Sequence, residues 1–276
     1  MALLKIWRTI RRQGIHSALR RVLTVVPAYL SGIGHWSLRR CLCCERFTIF
    51  IAHKNGSPEF GACLFCSANE RYELLASEIR NRYGEKLSKM DVLELDPRSP
   101  LKSLLSQART HIRSFYEEGR SSGQMDGAVC IDITSLRLSN DSLDLIVSSD
   151  VLEHIPRLDQ ALNETARVLR PGGAHLFTVP PRAATRKRAE IVDGEVRHIE
   201  PPEHHLDPLS PQGILAFWDI GPDLGDVLSI PGLDIKIARG PVGDAGRMVW
   251  LAERVPASAS GCIAIKEPSS AGQLHD

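Results

Sequence analysis

The sequence predicts a doubly wound α/β domain preceded by a small cysteine-rich module and a basic amino-terminal helix. Three observations carry this reading. From Asp91 onward, short apolar runs alternate with runs of helical period. Four cysteines fall in two Cys-x-x-Cys pairs between positions 41 and 66. The first forty residues hold Lys5, Arg8, Arg11, Arg12, Arg20, Arg21, Arg39 and Arg40 and no acidic residue.

Strands are predicted at Asp91 to Leu95, Ala128 to Ile131, Leu143 to Ser148 and Ala174 to Val179. Helices are predicted at Leu101 to His111 and at Leu158 to Leu169. The second places Leu158, Ala161, Leu162, Thr165 and Leu169 on one face and is closed by Pro171, Gly172 and Gly173. Strands separated by helices form βαβ units, hence a parallel sheet with helices on both sides. Beyond Pro180 the pattern gives a long polar loop, a helix around Pro211 to Trp218, and two closing strands, Leu233 to Ala238 and Arg247 to Ala252. A further helix, Asn69 to Tyr83, is stopped by Gly84. The predicted organisation is a basic helical segment over 1–38, a metal-binding module over 39–70, the α/β domain over 71–255 and a disordered tail over 256–276.

At 276 residues the chain accommodates one full-sized domain and a small accessory module. With 43% hydrophobic and 24% charged residues it has the composition of a soluble globular protein. Arginines interrupt each early apolar stretch before it reaches the length of a secretory signal, so a cytoplasmic protein is expected. A net charge of +1 argues against a general nucleic-acid binder. The amino-terminal stripe, Leu3, Trp7 and Ile10 opposite Lys5, Arg8 and Arg12, fits peripheral contact with an anionic membrane surface. It fits equally a helix packed on its own domain.

Cys41, Cys44, Cys63 and Cys66 have the spacing of two knuckles that turn four thiolates toward one point, the closed tetrahedral shell of structural zinc. Cys43 is a spare thiol in the first knuckle. Cys130 and Cys262 are expected as a buried strand residue and a tail residue.

In an open α/β sheet, ligands lie over the carboxyl ends of the strands. The residues there are Glu94-Leu95-Asp96-Pro97-Arg98-Ser99-Pro100, then Asp132-Ile133-Thr134, then Ser149-Asp150-Val151-Leu152-Glu153-His154. No Gly-x-Gly-x-x-Gly or Walker loop is present to cradle a pyrophosphate. Carboxylates instead suit a ligand bearing an amine, a sulfonium and ribose hydroxyls.

The run from Asp144 to Pro180, DLIVSSDVLEHIPRLDQALNETARVLRPGGAHLFTVP, resembles class I S-adenosylmethionine-dependent methyltransferases of the type 11 kind, with their LEHI and RVLRPGG signatures. With the flanking strands the similarity covers about Asp91 to Ala252. The upstream cysteine pairs, followed by Asn69-Glu70-Arg71-Tyr72-Glu73-Leu74-Leu75, resemble a bacterial subgroup with an amino-terminal zinc ribbon. The resemblance implies a Rossmann-like methyltransferase sheet with S-adenosylmethionine and structural zinc as cofactors. It places Glu94 and Asp96 near the methionine and ribose portions, Asp132 and Ile133 beside the adenine, and Ser149, Asp150 and His154 beside the methionine. Glu117 or Glu118, with Glu118 taken as the contact, stands for the acid that holds the ribose. The first-motif glycines of the family are replaced here by Asp96, Arg98 and Pro100.

Methyl transfer is an in-line displacement, so the protein chiefly aligns donor and acceptor and excludes water. Pro202-Glu203-His204-His205-Leu206-Asp207-Pro208 resembles an acceptor-side segment of the same group, and His205 is the expected base for a hydroxyl acceptor. Arg182, Arg186, Lys187 and Arg188 would suit an anionic acceptor. Arg167 and Arg170 read as helix-terminal charges. The expected activity is O-methylation of a small molecule or glycan. The second reading is a zinc-ribbon binding or scaffold protein whose methyltransferase-like domain lacks turnover.

Overall fold

The computed structural model describes residues 33–53, 61–117, 119–120, 123–207, 210–242 and 246–255, with backbone alone at 33–35, 52–53, 206–207, 210–212 and 242. The basic amino-terminal helix, Glu118, Cys262 and the predicted tail lie outside the described residues. The chain divides into two compact units. One takes the residues through Lys89 with Arg98–Arg109 and Arg239–Val249; the other takes Met90–Pro97, Thr110–Ala238 and the residues from Trp250.

In the first unit, β1 (Ile33–Arg40), β2 (Phe47–His53) and β3 (Ala62–Cys63) form an antiparallel sheet in that order. The register sets Leu38 opposite Ile49 and Phe50 opposite Cys63. Helix α1 (Glu70–Tyr83) follows, with Glu70 and Glu73 in its first turn and Arg80 and Arg82 in its last, which suits the helix dipole at both ends. Glu73 is buried, yet its carboxylate takes the Arg39 guanidinium and the Leu42 N–H, so the buried charge is paired. Gly84 stays in the right-handed region at φ −47°, with its N–H on the Arg80 carbonyl, so the expected left-handed cap is absent.

The second unit opens on β4 (Asp91–Glu94) and resumes, after the short helix α2 (Lys102–Leu105) of the first unit, at β5 (Thr110–Phe115). Then come β6 (Gln124–Met125), β7 (Ala128–Cys130), β8 (Leu143–Ser149), α3 (Leu158–Val168) and β9 (Leu169–Thr178). Three small antiparallel pairs follow. They are β10 (Arg186–Lys187) with β15 (Trp218–Asp219), β11 (Ala189–Val192) with β12 (Glu195–His198), and β13 (His204–Asp207) with β14 (Ser210–Leu215). After α4 (Leu224–Val227), the strands β16 (Leu233–Val242) and β17 (Arg247–Arg254) close the chain of elements.

Eight strands form one mixed sheet in the order β16-β17-β9-β8-β4-β5-β7-β6. The neighbours from β9 through β7 pair in parallel, while β17 runs antiparallel to β9 and β6 to β7. From β4 the chain moves outward to β5 and β7, then returns to the other side of β4 for β8 and β9. The switch point therefore lies between β4 and β8, where such sheets open a crevice at the carboxyl edge.

The α/β expectation holds, with four corrections. The helix predicted over Leu101 to His111 shrinks to α2, because Thr110 to Phe115, with Ser114 and Phe115 buried, pairs as β5 against β4. The antiparallel β6 and β17 make the sheet mixed, and between β7 and β8 no helix is described, so it is leaner in crossover helices than a full double winding. The polar loop after Pro180 and the helix around Pro211 to Trp218 are instead the three small strand pairs, whose hydrogen bonds lock a stretch with no strong period. Finally, α3 ends at Val168 with Leu169 already extended; Pro171 to Gly173 sit in a register shift within β9, where Gly172 takes φ +80°. Helix α3 buries Leu158, Ala161, Leu162 and Thr165, the face expected from its period.

Candidate active site

Parallel pairing sets Glu94 level with Arg113 on one side and Val147 on the other, Phe115 level with Cys130, and Ser149 level with Thr178. The strands that run together thus end at one edge, and the Leu95 N–H donates to the Val147 carbonyl at 2.9 Å across the switch point. At this edge, beyond β5 and β7, lies a cavity of about 410 Å³ lined by Tyr116, Glu117, Arg120, Asp132 and Ser135 among others. Glu117 follows the end of β5 by two residues, where the ribose-holding acid was expected. It pairs with Arg120 at 2.8 Å.

The anticipated residues divide. Asp132 lines the cavity, and its Oδ1 accepts from the Thr134 N–H at 2.8 Å and the Thr134 hydroxyl at 2.7 Å, an Asx turn that fixes the carboxylate. Ile133 beside it is buried. Asp150 takes φ +53°, a left-handed conformation rare away from glycine; its N–H donates to the Thr178 carbonyl at 2.9 Å. Ser149 meets the Thr178 hydroxyl at 3.0 Å. Glu94 is buried, with one carboxylate oxygen 2.8 Å from His111 Nε2 and the other without a hydrogen-bond partner. Asp96 is partly exposed just past β4. Among these, Asp132 alone borders the cavity with Glu117.

A second cluster joins residues far apart in sequence. The Phe217 N–H donates to the Glu153 carbonyl at 2.8 Å and docks the turn after β8 against the segment joining β14 to β15. His154 Nδ1 lies 2.9 Å from the Leu215 carbonyl, and its Nε2 lies 3.6 Å from Glu153 Oε1. His205 Nδ1 lies 3.5 Å from the same oxygen, and its Nε2 lies 3.1 Å from Glu203 Oε1. The two imidazoles meet edge to face at 4.8 Å. The Glu153 carboxylate facing it raises the His205 pKa above the ordinary histidine value, despite burial and with help from Glu203. Burial pushes the Glu203 carboxyl up, but its bonds to His205 and Arg182 outweigh that and hold it low.

Three of the four cations considered for an anionic acceptor converge on one buried carboxylate. Arg182, Arg186 and Arg188 reach Asp219 at 3.0, 2.8 and 3.0 Å. All three are thus already paired, with Glu203 and Glu200 as further acidic partners, and the link to Asp219 spans 31 to 37 positions that no local pattern signals. Glu153, in the turn after β8, is 2% exposed. Arg120 and Arg137 at the cavity lie in a stretch without period, so nothing in the sequence marked them.

In the first unit the four knuckle thiols come together, with every pair of sulfurs within 4.8 Å. Cys41 and Cys66 sulfurs stand 3.6 Å apart and those of Cys44 and Cys63 3.8 Å. A tetrahedron with Zn–S bonds near 2.3 Å has edges of about 3.8 Å, so the set fits zinc. Both knuckles use the same turn: Glu45 and Ser67, each just after the second cysteine, take φ of 60° and 62°. Cys43 points elsewhere, to the Tyr72 carbonyl at 3.4 Å, and burial raises its thiol pKa strongly.

Residues 102–177 match the family described as a methyltransferase domain, Methyltransf_11. The chain carries an S-adenosylmethionine-dependent methyltransferase domain. A curated relative, malonyl-[acyl-carrier protein] O-methyltransferase of Methylococcus capsulatus, is 39% identical over 64 residues; the match spans 23% of this chain and 23% of the relative's length. Among solved structures, the domain is similar to an S-adenosylmethionine-dependent methyltransferase from Mesorhizobium loti, with TM-score 0.41 and 15% identity over 61% of this chain and 93% of that one. It is similar also to the Burkholderia thailandensis 1,6-didemethyltoxoflavin-N1-methyltransferase, with TM-score 0.43 and 13% identity over 65% and 76% of the two chains. Among the described residues no helix is long and apolar enough to cross a membrane.

Proposed function

We propose that the methyltransferase domain transfers the methyl group of S-adenosylmethionine to an oxygen of a small molecule or glycan. The observation that carries the reading is the cavity beyond β5 and β7, where the Glu117 carboxylate and the turn-fixed Asp132 border one space. Carboxylates there suit ribose hydroxyls and the adenine amine. Asp96, Ser149 and Asp150, on the strands flanking the switch point, are assigned to the methionine and sulfonium, and Ile133 to the adenine face. Glu94 is assigned to holding His111 and the β4 to β5 seam. The similarity over 64 residues to malonyl-[acyl-carrier protein] O-methyltransferase favours oxygen as the acceptor atom.

S-adenosylmethionine supplies the methyl group and its positive charge; the chain's own part is placement. The acceptor is assigned to the face of the Glu153, His154 and His205 cluster. Neutral His205 there is placed to take the proton of a hydroxyl. The four knuckle cysteines are assigned structural zinc, whose closed shell leaves no position for chemistry. Calorimetric titration with S-adenosylmethionine and S-adenosylhomocysteine tests the proposal. Binding of both is expected, and binding of neither leaves the scaffold reading in its place.

A further inference from the structure

We infer that Glu153, His154 and His205 form a second metal site, distinct from the four-cysteine knuckles and fitted to a divalent transition ion that takes nitrogen and oxygen ligands. The site lies at the acceptor face assigned above.

Hydrogen-bond roles carry the inference. A carbonyl oxygen can only accept, so His154 Nδ1, 2.9 Å from the Leu215 carbonyl, bears the proton of the neutral ring. Its Nε2 then presents a lone pair to Glu153 Oε1 at 3.6 Å. The carboxylate of Glu203 likewise accepts from His205 Nε2 at 3.1 Å, which leaves His205 Nδ1 presenting its lone pair to the same Glu153 oxygen at 3.5 Å. With both rings neutral, three acceptors face one another with no donor among them. Glu153 is 2% exposed, and neither of its carboxylate oxygens receives a hydrogen bond. A buried, unbonded carboxylate is costly, and a cation among the three groups removes the cost.

The dimensions agree. The three ligand atoms lie within 4.8 Å of one another. Bonds of 2.0 to 2.1 Å put neighbouring ligand atoms roughly 3.0 to 3.4 Å apart, so the two edges at Glu153 need to close by only a few tenths of an ångström, and the edge between the two histidine nitrogens, which lies within 4.8 Å, by up to about 1.4 Å. Each histidine already has the outer partner that metal-bound histidines keep, a backbone carbonyl for His154 and a carboxylate for His205. Two histidines and one carboxylate leave further coordination positions open, as in catalytic zinc and non-haem iron(II) sites. With an ion seated, His205 would be a ligand in place of the base assigned above, and the ion would supply the activation of a hydroxyl by lowering its pKa.

The test is metal stoichiometry and affinity of the full chain, with zinc and cobalt(II) as probes. Two ions per chain are expected, one lost in Cys63→Ser and the other in the His154→Ala/His205→Ala double variant. Glu203→Gln, a milder change to an outer partner, is expected to weaken the second ion about tenfold or more while leaving the first untouched. Should the double variant fail to fold, Glu203→Gln decides alone. One ion per chain, indifferent to all changes outside the cysteines, overturns the inference and leaves a protonated His205 paired with Glu153. S-adenosylhomocysteine binding in the same preparations separates the two readings: cofactor binding without a second ion removes only the metal, and a second ion without cofactor binding removes only the methyltransferase assignment.

Discussion

Arg170 holds Asp144 at 2.8 Å with one guanidinium nitrogen while the other takes Asp91 at 2.9 Å. Asp144 also accepts the Asp91 N–H at 2.7 Å. The arginine opens β9 and its partners open β8 and β4, so three parallel strands are tied at their amino ends, the edge opposite the cavity. Its hydrogen bond to Asp144 raises the arginine's own pKa.

Arg170→Ala is therefore expected to lower stability by about 1–2 kcal/mol, the range for charge-assisted bonds partly screened by water. Cofactor affinity should not move. Urea unfolding and S-adenosylhomocysteine titration of the variant check the two halves, and a loss of affinity without a loss of stability would contradict this placement.

Asp132 and Glu117 predict the reverse pattern. Each carboxylate borders the cavity, and a hydrogen bond to a charged group is worth about 1.5–3 kcal/mol, so Asp132→Ala or Glu117→Ala should weaken S-adenosylmethionine roughly 10- to 100-fold. Asp132 also makes the turn to Thr134. Asp132→Asn, which keeps an oxygen for that turn, separates loss of the turn from loss of charge. Unchanged affinity in the Ala variants would move the pocket elsewhere.

What the sequence revealed depended on the range of the forces involved. The α3 stripe is a local signal of period 3.6, and Leu158, Ala161, Leu162 and Thr165 are buried as that period requires. The knuckle pairs are local too, and both fold into the same turn. Strand β5 was hidden because His111 and Arg113 break its apolar run, yet one bonds Glu94 and the other the Pro97 carbonyl. The β10–β15 pair and the Asp219 arginine cluster were hidden because their partners lie tens of residues apart, whereas β11–β12 and β13–β14 are local hairpins, the first turning at Asp193-Gly194 with both residues at positive φ. The cluster at Glu153 was half visible: its histidines were noted separately, at the turn after β8 and in the acceptor segment. Only β13 and β14 bring them together.

The cysteine module predicts metal-dependent folding. Its β-sheet buries Phe50, Cys41 and Cys63, but Trp36 and Phe47 remain 70% and 69% exposed, so apolar burial alone is a weak support. Cys63→Ser is expected to release the zinc held by the knuckles and to expose the segment from Ile33 to Ala68 to protease, while the sheet of the second unit stays intact. Limited proteolysis with metal analysis checks it. Retention of this zinc by the variant would show that another group completes the shell.

His175 supplies the pH prediction. The residue is fully buried in β9, with Nε2 2.8 Å from the Ser148 hydroxyl and Nδ1 without a hydrogen-bond partner, and burial lowers its pKa to about 3. In the unfolded chain the same ring titrates near 6.5. Between these values the unfolded state binds a proton that the folded state refuses, so this contribution to stability is complete above the upper value. It falls as pH drops toward the lower one, by about 1.4 kcal/mol per pH unit. His175→Gln removes the titration and keeps a polar partner for Ser148. Urea unfolding of both proteins at about pH 7 and about pH 5 should show the wild type losing roughly 2 kcal/mol more than the variant over that interval. The carboxylates common to both cancel in the comparison, so equal losses would mean that this ring is hydrated in the folded protein.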